Sequence, residues 1–172
     1  MYGAARTPSL SACPRQVILG VAIGLWAAGA AAQSMVDGDT LKLGGITYRL
    51  WGIDAPELAQ TCPDGWPAGR MAATRLQALT AGRSVVCQEK DRDRYGRTVA
   101  ICRASGEDVG AILVREGLAW AFVRYSSDYV RQEGQAKDDR LGVHAHGCTP
   151  AWEWRVQERA KTTQQTPRLR AD

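Results

Sequence analysis

The chain has 172 residues, 45% of them hydrophobic and 23% charged, with a net charge of +4. That length holds one domain with a real core and is short for two, and the composition excludes a wholly disordered chain. The small basic excess excludes strong whole-molecule attraction to a polyanion, so any such attraction has to be local.

Residues 1–16 carry Arg6 and Arg15 and no acid, and Val17 to Ala32 then run apolar without a charge to Ala30-Ala31-Ala32. A basic start, an apolar stretch and small residues at the end are the layout of a secretory signal. An uncleaved membrane anchor is the alternative, although the apolar run is shorter than the roughly twenty residues that span a bilayer. The expected organisation is a signal or anchor over 1–32, a folded domain over 33–152, and a polar tail over 153–172. That tail is rich in Gln, Thr and Arg, lacks a period, and reads as mobile. The first reading places the protein outside the cell or in the periplasm; the second, on a membrane facing away from the cytoplasm.

Met35 to Leu43 and Ile46 to Ile53 are β-branched and apolar runs joined by Gly44-Gly45, which predicts a hairpin. Met71, Ala72, Leu76 and Leu79 recur at helical spacing, predicting a helix over 68–79 closed by Gly82. Ser84 to Cys87 and Thr98 to Cys102 predict a second hairpin. Asp108 is placed to cap a helix from Val109 to about Glu116, ended by Gly117, with Ile112 and Leu113 facing the core. Leu118 to Val123 suits a last strand, and 128–141 a polar helix ended by Gly142. Two hairpins with interleaved helices suggest a small twisted barrel of about five strands, with helices packed outside.

Cys13 belongs to the leader, and the other four cysteines are an even number, which in an exported chain suggests disulfides. Cys87 and Cys102 would face each other across the second hairpin. Cys62 and Cys148 are then left for each other, and four reduced, buried thiols are the alternative. No spacing resembles a zinc site.

Asp37, Asp39, Asp54 and Glu57 lie close in sequence to Arg49. Clustered carboxylates suit a hard cation, and a guanidinium among them suits a phosphate that the cation also touches. Each motif also has a plainer reading: Asp37-Gly38-Asp39 as a tight turn, Asp54 to Glu57 as a helix start, and Asp91 to Arg97 as a solvated charged turn. Arg49 and Asp54 are an odd number of positions apart, so a regular strand would aim them at opposite faces; a bend at Gly52 would let them converge. Lys90, Arg92, Arg94, Arg97 and Arg103 form the local basic cluster.

Val36-Asp37-Gly38-Asp39-Thr40, Tyr48-Arg49-Leu50-Trp51-Gly52-Ile53-Asp54-Ala55-Pro56-Glu57, Asp93-Arg94-Tyr95-Gly96-Arg97 and Leu113-Val114-Arg115-Glu116-Gly117-Leu118-Ala119 resemble the motifs of the staphylococcal-nuclease-like family. The likeness covers about Met35 to Leu141. It implies an α+β, mostly β fold: a five-stranded OB-fold barrel with about three helices packed on it. It implies calcium-dependent cleavage of DNA and RNA by a monomer without a stable protein partner. By matching position, Asp39, Asp54 and the Ala55 carbonyl would hold Ca2+, and Glu57 would position or deprotonate the attacking water. Arg49 and Arg97 would bind the phosphate, Arg94 and Tyr95 would contact substrate, and Asp37 would support the metal ligands. The chain departs from the pattern at Gly142-Val143-His144-Ala145-His146, where relatives commonly have Trp after the glycine. His144 and His146 there read as a surface loop before a second metal site. A non-catalytic OB module that binds nucleic acid or a protein is the rival reading. A disulfide-stabilised envelope protein with a structural Ca2+ site is a third, and it would not need both arginines.

Overall fold

The computed structural model describes residues 33–165. The leader expected over 1–32 and the last seven residues of the expected tail lie outside the described residues.

Three strands, β1 (Gln33–Asp37), β2 (Thr40–Leu43) and β3 (Ile46–Leu50), form an antiparallel meander. Gly44 and Gly45, with φ of 58° and 81°, make its β2–β3 turn, the left-handed pair that matches strand twist in a two-residue hairpin. The expected run Met35 to Leu43 is broken in the middle. Gly38 and Asp39 form a tight turn, with Asp37 opposite Thr40 and the Asp39 N–H donating to Asp37 Oδ1 at 3.2 Å. The plainer reading of Asp-Gly-Asp holds for the backbone, and the turn still carries Asp39 into the interior.

After Leu50 the chain bends at Gly52, φ 67°, and β4 (Ile53–Asp54) leaves the sheet to pair with β8 (Trp120–Ala121). Helix α1 (Ala68–Thr80) follows, with Ala72, Leu76 and Leu79 buried as their spacing requires, whereas Met71 of the same expected set is exposed. The second hairpin, β5 (Val85–Arg92) and β6 (Thr98–Ala104), places Cys87 opposite Cys102, and the two form a disulfide. A short β7 (Glu107–Asp108) pairs with β6. Helix α2 (Val109–Arg115) starts where Asp108 accepts the Ala111 N–H at 3.1 Å. Its buried face is Val109, Leu113 and Val114, with Ile112 partly covered. Helix α3 (Val130–Asp138) stops three residues short of Leu141, because Arg140 adopts φ 52° and turns the chain before Gly142.

The strand order β1-β2-β3-β6-β5 makes an open sheet with β3 and β6 parallel. The barrel expectation is corrected here: among the described residues the outer strands β1 and β5 do not pair, so the sheet is not closed. After the Gly52 bend, β4 pairs with β8 in a separate two-stranded sheet rather than extending the main one. Four helices, not about three, complete the mixed α+β fold. The fourth, α4 (Ala151–Gln165), corrects the reading of 153–172 as a mobile tail for the part described. A second small core of Cys62, Ala68, Trp120, Val143 and Ala151 seats its start, and the Cys62–Cys148 disulfide ties it to the loop after β4. Among the described residues no helix is long and apolar enough to cross a membrane.

Helix α1 passes against that loop at Gly69, whose N–H donates to Gln60 O at 3.1 Å. A Cβ at Gly69 would overlap the Glu57 carbonyl oxygen. Gly69→Ala is therefore expected to cost about 2–4 kcal/mol, read as a lower urea midpoint at unchanged m-value. A loss under about 0.5 kcal/mol would contradict this close approach.

Candidate active site

The register places Thr40 opposite Arg49 and, on the other side of β3, Arg49 beside Val99. Arg49 thus sits mid-sheet, next to the turn that carries Asp39. Its Nη1 donates to Asp39 Oδ1, and its Nη2 donates to Asp54 Oδ1 at 2.7 Å and towards Ile53 O at 3.4 Å. The bend expected at Gly52 is present, and it brings Asp54 back to Arg49 despite their odd separation. Asp39 and Asp54 are 2% and 0% exposed, so both carboxylates are removed from water. Asp39 also accepts from Thr40 Oγ1 at 3.2 Å and, through Oδ2, from the Ala55 N–H at 3.0 Å.

Burial pushes the Asp39 carboxyl up to about 7; Arg49 opposes that rise, whereas Asp37 and Asp54 add to it. Arg49 itself loses solvation by burial, yet Asp39 and Asp54 raise its pKa above the ordinary arginine value, so it stays charged.

Glu57 stands on the loop after β4, a well-braced segment. Its N–H donates to Gln60 Oε1 at 3.3 Å, its carbonyl accepts the Gln60 N–H at 2.7 Å, and Gln60 Nε2 donates to Thr149 O at 2.7 Å. Gln60, 1% exposed, therefore joins this loop to the approach to α4.

The residue that sequence reasoning missed is Arg155 on α4. Its Nη2 donates to Asp54 Oδ2 at 2.7 Å, and its Nη1 to Glu57 Oε1 at 2.7 Å and Asp54 Oδ1 at 3.2 Å. A helical signal was present. Of the more covered positions of the first two turns, Ala151, Trp152, Trp154, Arg155 and Glu158, all but Trp152 follow one i, i+3, i+4, i+7 spacing. Their mixed polarity hides that face from a search for apolar periodicity.

Arg94, Tyr95 and Arg97 lie apart from the acids, at the tip of the β5–β6 hairpin. Asp93 organises that tip by accepting the Tyr95 and Arg97 N–H groups at 2.9 and 3.0 Å and Arg97 Nε at 2.6 Å. Burial alone would raise the Asp93 pKa, but these bonds, Arg97's foremost, hold it below the usual carboxylate range. The guanidinium carbons of Arg94 and Arg97 lie 4.9 and 5.6 Å from the exposed Tyr95 ring centre. Between the tip and β3 runs an open cleft of about 450 Å³, lined by Tyr48, Tyr95 and Arg97 among others. Arg97 stands two residues before Val99, the register partner of Arg49, so the two arginines lie on neighbouring central strands of the sheet.

The two histidines do not converge. His146 Nδ1 lies 2.5 Å from Asp64 Oδ2 and its ring stacks on Trp66 at 4.4 Å, whereas the His144 Nε2 atom is buried without a hydrogen-bond partner. Among the described residues no three His, Cys, Asp or Glu side chains form a ready metal cage. The donors at Asp39, Asp54, Glu57 and the Ala55 carbonyl are all oxygens, which fits a hard divalent cation in kind. In this structure the guanidinium groups of Arg49 and Arg155 lie among those carboxylates.

Buried acids braced by arginines, beside a basic hairpin on a mixed α+β domain, define a class of domain suited to phosphate esters. Comparison with known proteins makes the class specific. The family model described as staphylococcal nuclease homologue matches residues 47–146. A micrococcal nuclease of Shigella flexneri is 34% identical over 167 residues, covering 86% of this chain and 92% of that protein. An uncharacterized endonuclease of Escherichia coli O157:H7 is 31% identical over 129 residues, covering 70% and 80%. The succinoglycan biosynthesis protein ExoI of Rhizobium meliloti (strain 1021) is 41% identical over 92 residues, covering 50% of this chain and 48% of that protein. The chain belongs to the staphylococcal nuclease family.

Folded Asp39 keeps its proton up to about pH 7, whereas an unfolded aspartate loses it near 3.8. Its contribution to stability is therefore full below 3.8 and is lost as pH rises towards about 7. In chelator, Asp39→Asn is expected to flatten that part of the stability profile, followed by denaturant melts from about pH 4 to about pH 7.5. An unaltered slope in the variant would show that Asp39 is ionised throughout.

Proposed function

We propose that this protein is an exported, calcium-dependent nuclease that hydrolyses phosphodiester bonds of DNA and RNA with little base specificity. The observation that carries the reading is the buried pair Asp39 and Asp54 bracketing Arg49 with Glu57 alongside. Family membership and the names of its nuclease relatives support the nucleic-acid substrate. Export draws support from the Met1–Ala32 pattern and from two disulfides, bonds that persist in oxidising compartments. The protein is expected to act as a monomer.

Asp39, Asp54 and the Ala55 carbonyl would hold the cation, with Asp37 supporting Asp39 through the turn that both occupy. A bound divalent cation supplies Lewis-acid neutralisation of charge on a phosphate oxygen. Glu57 orients the attacking water and takes its proton as the new P–O bond forms. The bond to the leaving sugar oxygen breaks, and that oxygen receives a proton from solvent. Arg49 and Arg97 donate to the phosphate oxygens as negative charge accumulates there. For this, Arg49 exchanges part of its contact with the acids for the phosphate, and Arg97 swings from Asp93. Arg94 and Tyr95, at the exposed tip, give the polyanion a charged and stacking contact. The rival reading, a non-catalytic binding module, is favoured by one observation: guanidinium groups already engage Asp39, Asp54 and Glu57.

The purified, oxidised protein is expected to cut single-stranded DNA with Ca2+ and to stop in chelator. Glu57→Ala should lower the rate by about a hundredfold or more. A folded protein that binds DNA without cutting it in Ca2+ would establish the binding module instead.

A further inference from the structure

We propose that Arg155 is a positioning residue of this site: it fixes the carboxylate of Glu57 and supplies counter-charge that sets how strongly the acids hold a cation. The inference rests on the nuclease reading above and deepens it.

The geometry is that of a bridge. Arg155 reaches both oxygens of Asp54 and Oε1 of Glu57, residues 101 and 98 positions away in sequence. A planar guanidinium holds two carboxylates in a fixed mutual orientation, whereas an ammonium can bond both but its rotatable donors fix the orientation of neither. With Oε1 held, the other Glu57 oxygen is restricted to one side of the carbon–carbon axis, where a water could be aimed. The guanidinium arrives already placed. Cys62–Cys148, the Gln60 to Thr149 hydrogen bond and buried Ala151 fix the start of α4 against the Glu57 loop.

Charge gives a second, independent argument. Asp37, Asp39, Asp54 and Glu57 face Arg49 and Arg155, an excess of two negative charges once all four are ionised, the state in which carboxylates ligate a cation. That excess matches one divalent cation. Without Arg155 the excess is three, so the cation would be attracted more strongly while Glu57 lost its fixed orientation. A residue that merely propped the loop would behave differently, since a loosened site would weaken cation binding and turnover together.

The test uses the full-length, oxidised protein with Arg155→Gln and Arg155→Lys. Two quantities are read: the Ca2+ midpoint of thermal stabilisation, and kcat and KM on single-stranded DNA at saturating Ca2+. Arg155→Gln is expected to lower the Ca2+ midpoint about threefold to tenfold and to cut kcat about tenfold, with KM within about twofold. Arg155→Lys keeps the charge, so its midpoint should stay near the parent's while kcat recovers only in part. A higher or unaltered midpoint in Arg155→Gln overturns the proposal, as does an unaltered kcat. If that variant fails to fold, full kcat in Arg155→Lys overturns it, and reduced kcat at a parental midpoint supports it. If the parent binds Ca2+ but cuts nothing, the nuclease reading fails, and the midpoint alone decides whether Arg155 supplies counter-charge. A parent whose stability ignores Ca2+ overturns both.

Discussion

Arg49, held between two buried carboxylates, is the interaction on which the rest of the candidate site depends. Asp39 reaches it from the β1–β2 turn, and Asp54 from beyond the Gly52 bend. Charges removed from water are tolerated only when paired and hydrogen-bonded, so buried Arg49 depends on both carboxyl groups, and Asp54 on Arg49 and Arg155. The backbone serves the same end: the Leu50 N–H donates to Asp39 O and the Ala55 N–H to Asp39 Oδ2. The site is therefore part of the core, and the residues proposed for chemistry cannot be separated from those that stabilise the fold.

That coupling explains the division between the two charged regions. The acid cluster is buried and braced, and burial, with the neighbouring acids, pushes the Asp39 carboxyl up. The β5–β6 tip is exposed, and its basic side chains are organised by one aspartate, Asp93. A polyanion can meet the exposed tip first, where salt screens, and then lie towards the acids across the neighbouring strands that carry Arg97 and Arg49. The modest net charge of the whole chain is compatible with this arrangement because Lys90, Arg92, Arg94, Arg97 and Arg103 form a local cluster on one hairpin.

Much of this was legible in the sequence wherever a local rule decided the outcome. Gly44-Gly45 specified a turn, the Met71 to Leu79 spacing specified α1, and Asp108 specified the start of α2. The Cys87–Cys102 pairing followed from hairpin register, and Cys62–Cys148 from what remained. Non-local choices were not legible. Whether β4 extends the main sheet or pairs with β8 depends on a left-handed Gly52 and on a strand more than sixty residues away. The bounds of α3 depended on Arg140, a residue type without a strong preference for positive φ. Arg155 was hidden because only the first turn of its helix packs on apolar residues, and the rest docks through ion pairs that hydrophobic periodicity does not register.

The position of the second disulfide follows from the same weakness. Helix α4 is mostly polar, and beyond Ala151 it is only partly covered, so burial alone would hold it loosely against the body. Cys62–Cys148 closes a long stretch of chain at the point where α4 begins, removing much of the freedom the helix would otherwise have. It does so on the loop that carries Glu57, and Gln60 adds a buried hydrogen bond beside it. One covalent tie thus limits the motion of the carboxylate and of the guanidinium that holds it. In a small domain with an open sheet, this gives the Glu57 loop a precision that its few apolar contacts could not supply.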